Sequence, residues 1–95
     1  MQTIVLCENC ADPAACVERF RARAEALGLK TTLDGRLATI PGSIHLHLRP
    51  LAERPGTLEY TMDVVQRRSW LSWHENRHRP WIEGVVEALV RLGDV

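Results

Sequence analysis

A two-layer α+β sandwich, with a four- to five-stranded, mainly antiparallel sheet and two helices on one face, is the fold this sequence predicts. Three observations predict it. The chain has 95 residues, enough to bury about two thirds of its unfolded surface around one core and too few for two cores. Apolar residues recur at three- and four-residue spacing in two stretches, the mark of amphipathic helices. Elsewhere the spacing is two, the mark of strands with one dry face. The expected order is β-α-β-β-β-β-α, or close to it, in a single domain over residues 1–95. Two helices can cover only one face of such a sheet, so the other face is expected to lie open.

The elements follow in order. Residues 2–6 are short and β-branched at Thr3, Ile4 and Val5, and read as a buried strand. Asp12-Pro13 reads as an N-cap followed by proline at the first helical position, where its missing N–H costs nothing. Val17, Phe20, Ala24 and Leu27 then form one stripe, and Gly28 supplies the stop. Residues 29–33, the Asp34-Gly35 turn and residues 36–40 read as a tight β-hairpin, because Asp-Gly tolerates the positive φ such a turn demands. Ile44, Leu46 and Leu48 alternate with His45, His47 and Arg49. Leu58, Tyr60 and Met62 alternate in the same way with Glu59, Thr61 and Asp63, and Leu71 and Trp73 alternate with Trp70, Ser72 and His74, after a short turn near 66–68. Pro80 opens a second helix with Trp81, Ile82, Val85, Val86, Leu89 and Val90 on one stripe and Gly93 past its end.

Composition bounds the function. The chain is 45% hydrophobic and 25% charged, with twelve Lys plus Arg against twelve Asp plus Glu. Disorder is disfavoured at that apolar fraction and zero net charge. The longest uncharged apolar run, residues 3–7, falls far short of the ~20 residues of a membrane span. Three cysteines crowded into ten positions make a poor disulfide framework and favour a reducing compartment, so a cytoplasmic location without membrane contact is expected. Eleven of the twelve basic residues are Arg. With no net positive charge, nucleic acid is not the expected partner.

Three groups of residues carry candidate chemistry. Cys7 and Cys10 form a CxxC at the end of the first strand, with Cys16 six residues on in the first helix. Near a helix N-terminus a thiol is held toward the thiolate, which suits a dithiol couple or a soft metal. Free cysteine also packs as a small buried hydrophobe, the plainer reading. The second group shares the open face. His45, His47 and His74 project there, and Glu59 or Asp63 is placed to complete a coordination shell for zinc or another transition metal. The plainer reading is that the same residues are the polar side of a solvated sheet. No other cofactor is expected.

The third group is residues 67–81, with four Arg, two His and three of the five Phe, Trp and Tyr residues. Counting His as neutral, this segment carries +3, beside −2 over residues 82–95. Arg67, Arg68, Trp70, Arg77, His78 and Arg79 are the candidate binding residues, for a small anion or a protein partner. Trp70 stands out: on an uncovered face it would expose ~200 Å² of apolar surface. The leading expectation is therefore a binding protein that acts through its open face and self-associates as a homodimer. The alternative is a metal-binding or thiol-redox protein using Cys7 and Cys10 or the histidines. Catalysis is the weaker class, since the chain has no Gly-rich phosphate loop, Gly-x-Ser-x-Gly elbow or His-Glu-x-x-His helix.

Overall fold

In the computed structural model, which describes residues 1–52, 54–74 and 80–92, the chain order is β1 (Gln2–Cys7), α1 (Pro13–Ala26), β2 (Leu29–Gly35), β3 (Ile44–Pro50), β4 (Leu58–Asp63), β5 (Arg68–Trp73) and α2 (Pro80–Leu92). The strands form one sheet in the order β1-β5-β4-β3-β2, and every neighbouring pair is antiparallel. β1 and β2 are thus the two edges, and α1 connects one edge to the other. This is the expected α+β arrangement with five strands. Among the described residues, no helix is long and apolar enough to cross a membrane.

Local chemistry sets the ends of α1. Asp12 is extended, with φ −136° and ψ 92°, and its Oδ1 accepts from the Ala15 N–H at 3.2 Å. Gly28 ends the helix at φ +79°, a conformation that costs other residues strain. Its carbonyl accepts from Leu51 N at 2.8 Å, which ties the helix end to the residue after β3.

The tight hairpin at Asp34-Gly35 does not form. β2 continues through Gly35, which is not among the positive-φ residues, and pairs with β3 so that Gly35 faces His45. Asp34 accepts from Arg21 Nη2 of α1 at 2.7 Å. Residues 36–40 belong to the connection. There Ile40 N donates to Leu37 O and Ser43 N to Ile40 O, each at 3.1 Å. The Ser43 hydroxyl, 1% exposed, accepts from Leu37 N at 2.9 Å. The physical reason is periodicity. Residues 44–50 alternate cleanly and can bury Leu46 and Leu48, whereas Arg36-Leu37-Ala38-Thr39-Ile40 offers no dry face to pair.

The period-two reading of the faces agrees with the ladder. Ile44 faces Met62, Leu46 faces Tyr60, and Tyr60 faces Leu71, all toward the helices. Phe20 of α1 stacks on Tyr60, with ring centroids 3.8 Å apart at 10°. Among the described side chains of α2, Ile82, Val86 and Leu89 are buried. Cys16 joins the buried stripe of α1, while Leu27 and Val90, both expected on the stripes, lie exposed near the helix ends. Trp81 packs on the core edge and donates from Nε1 to Pro55 O at 2.8 Å. Gly93 lies outside the described residues.

One polar pair sits in this core. The Tyr60 and Ser69 hydroxyls are buried with no partner at hydrogen-bond geometry. Burial pushes the Tyr60 hydroxyl well above its ordinary range, while the neighbouring Ser69 hydroxyl acts the other way.

Candidate metal centre

On the face away from the helices, β3 and β4 place four polar side chains in a square of ladder positions. His45 is opposite Thr61 and His47 is opposite Glu59. Because alternate residues of a strand share a face, His45 and His47 project together. The register then delivers a carboxylate beside them.

Three donor atoms converge. His45 Nε2 is 3.1 Å from His47 Nε2 and 3.2 Å from Glu59 Oε1, and His47 Nε2 is 3.2 Å from the same oxygen. Ligands held ~2.1 Å from one ion stand ~3.0–3.4 Å apart between octahedral and tetrahedral angles. The observed triangle falls inside that interval. His45 Nδ1 lies 2.8 Å from Thr61 Oγ1. With Nδ1–H donating to that hydroxyl, the Nε2 lone pair points into the triangle, as it does in histidine ligands fixed by an outer hydrogen bond.

The cluster is well enclosed for an uncovered sheet face. His45 is 7% exposed and Thr61 is 1% exposed, and the Glu59 side chain is 18% exposed. In the tautomer with Nδ1–H of His45 toward Thr61, the His45 Nε2 lone pair and the Glu59 carboxylate both offer electron pairs to the triangle. A metal cation at the centre would be met by the two Nε2 atoms and one carboxylate oxygen. The mixed N and O donor set suits zinc, iron, cobalt or nickel rather than calcium or magnesium. Three protein ligands leave at least one coordination position for a ligand from outside.

The cysteines form a second group. Their three sulfurs also lie within 4.8 Å of one another. Cys7 and Cys10, with Cα atoms 5.9 Å apart, are joined as a disulfide. Cys10 and Cys16 are buried, and Arg19 Nη2 stands 3.2 Å from Cys16 Sγ. The group lines a cavity of about 370 Å³ that also takes in Asp12 and Ala15 at the start of α1. While the disulfide holds, only Cys16 offers a free sulfur, so this group cannot match the three available donors on the sheet.

The other sequence candidates scatter. His74 is exposed just past β5 and is not part of the triangle. Arg67 is exposed at the β4–β5 turn with φ 55°, and its carbonyl accepts from Cys10 N at 2.9 Å. Trp70 does lie on the open face, opposite Thr61 and Val5, but it is half-buried and the Arg68 guanidinium sits 5.8 Å above its ring. Arg77, His78 and Arg79 lie outside the described residues. Thr61 had no role assigned from sequence. Only the register that sets it against His45 reveals one. No protein-family model matches this chain, and no curated protein or solved structure matches it either.

Proposed function

We propose that the protein binds a divalent transition-metal ion, of the zinc class, on its open sheet face through His45 Nε2, His47 Nε2 and one carboxylate oxygen of Glu59. The observation that carries this reading is the near-equilateral triangle of donors, 3.1 to 3.2 Å on a side, with the His45 ring fixed from behind by Thr61. The open coordination position makes it a site that presents a metal to an outside ligand rather than a closed structural clamp. Equilibrium dialysis against zinc tests it. One ion per chain is expected for the wild type and none for the His47→Ala, Glu59→Gln double variant. Stoichiometric zinc in that variant would refute the assignment.

A second reading attaches to Cys7 and Cys10, favoured by their sulfurs being joined in the wall of a cavity beside the first turn of α1. There the pair acts as a dithiol–disulfide couple, giving two electrons and two protons to an external disulfide as it closes. Counting reactive thiols in denaturant before and after reduction tests it. One rising to three supports the couple, and three at the outset in aerobically purified protein opposes it.

A further inference from the structure

Beside the metal centre, the same face carries a cavity of about 490 Å³ lined by Lys30, Thr32, Arg49, Pro50, Arg54 and Pro55. Among the described residues its charge is one-sided. Three cations line it, and among the described residues none of the three has a carboxylate within ion-pair distance. Lys30, the only lysine of the chain, is directly opposite Arg49 in the β2–β3 ladder. Like charges at facing ladder positions destabilise a sheet unless a counter-charge lies between them. Arg49 Nη2 also donates to the Arg54 carbonyl at 3.5 Å, which ties the loop backbone to the strand at Arg54. In a chain with no net charge, this concentration is a local feature of the fold.

The cavity adjoins the metal centre. Arg49 is two residues beyond His47 on β3 and on the same face, a displacement of ~7 Å along the strand. Thr32, in the cavity wall, donates from its hydroxyl to the His47 carbonyl at 3.4 Å. We infer that the cavity and the metal centre together form one site for a small phosphomonoester that also bears a metal-binding oxygen group. The phosphate lies among Lys30, Arg49 and Arg54, and the oxygen group takes the open position on the ion. Among the described residues the lining holds three cations and no carboxylate, a set that matches a phosphate dianion better than a lone carboxylate, which would leave two of them uncompensated. The guanidinium of Arg49 or Arg54 can also grip phosphate oxygens in pairs.

The inference rests on the metal reading for its second anchor and on the cavity alone for its first. Calorimetric titration with 3-phosphoglycerate, glycerol 3-phosphate and glycerate separates them, because the last two probes each lack one end. In metal-free protein, the two phosphate compounds are expected to bind with similar affinity and glycerate not to bind. With zinc present, 3-phosphoglycerate is expected to tighten tenfold or more and glycerol 3-phosphate much less. Arg49→Gln and Lys30→Ala, both at exposed side chains, are expected to weaken phosphate binding at least fivefold while zinc stoichiometry stays unchanged. Absence of phosphate binding in the metal-free protein, or indifference to both variants, overturns the phosphate pocket whatever the zinc result. Equal affinity for 3-phosphoglycerate with and without bound zinc overturns the joint site. Failure of zinc to bind at all is the separate failure of the metal reading.

Discussion

His45 Nδ1 and Thr61 Oγ1 stand 2.8 Å apart across the β3–β4 ladder, in a pair that is almost wholly buried. This contact turns a polar strand face into an oriented donor set. Replacing Thr61 by Val keeps the shape of the side chain and removes the acceptor. Zinc affinity measured by chelator competition is expected to fall 10- to 100-fold, the usual cost of losing an outer-shell partner. Thr61→Ser, which restores the hydroxyl, should recover most of it.

The stack of Phe20 on Tyr60 predicts a second outcome. Tyr60 has its ring in the core and its hydroxyl buried without a good partner. Tyr60→Phe should therefore be neutral, or stabilising by up to ~1 kcal/mol in urea denaturation. Tyr60→Ala should cost ~3–5 kcal/mol.

Tyr60 also fixes a pH dependence. Its folded-state pKa is raised above the ordinary value of 10.0, first by burial, so above that pH the unfolded chain releases a proton that the folded chain retains. The folded state then binds more protons than the unfolded state, and stability falls as pH rises past 10.0. Urea midpoints taken at increasing pH above that value should drop more steeply in the wild type than in Tyr60→Phe. Parallel slopes would contradict the burial argument.

Two local devices near the cysteines are separable by stability measurements. Asp12→Ala removes the acceptor for Ala15 N and should cost ~1 kcal/mol in thermal denaturation. Reducing the Cys7–Cys10 bond opens a very short loop, and chain-entropy reasoning puts that loss at ~2 kcal/mol. A melting temperature unmoved by reductant would show that the bond contributes nothing to the fold.

Much of the fold was legible because period two and period three-to-four are strong signals over residues 44–63 and in both helices. The sorting of His45, His47 and Glu59 onto one face came from that alternation alone. The Asp34-Gly35 turn misled because a local turn preference is worth little against the burial of Leu46 and Leu48, which drew β2 into full pairing with β3. That register was also what hid the cation cluster: Lys30 meets Arg49 because β2 pairs with β3 and shifts register between Thr31 and Leu33, an irregularity no local sequence signal marks. The donor triangle stayed unresolved for the same reason, since a shift of one residue between β3 and β4 would put Glu59 on the other face. The expectation of a homodimer rests on Trp70 lying bare, and with Arg68 above its ring that motive is reduced.

The central claim, that metal is held by histidine and carboxylate on the sheet rather than by the cysteines, is tested most directly by X-ray absorption at the zinc edge of the zinc-loaded protein. A first shell made only of nitrogen and oxygen at ~2.0–2.2 Å, with imidazole scattering from two rings, is the predicted result. A sulfur shell at ~2.3 Å would place the metal on Cys7, Cys10 and Cys16 and contradict the account.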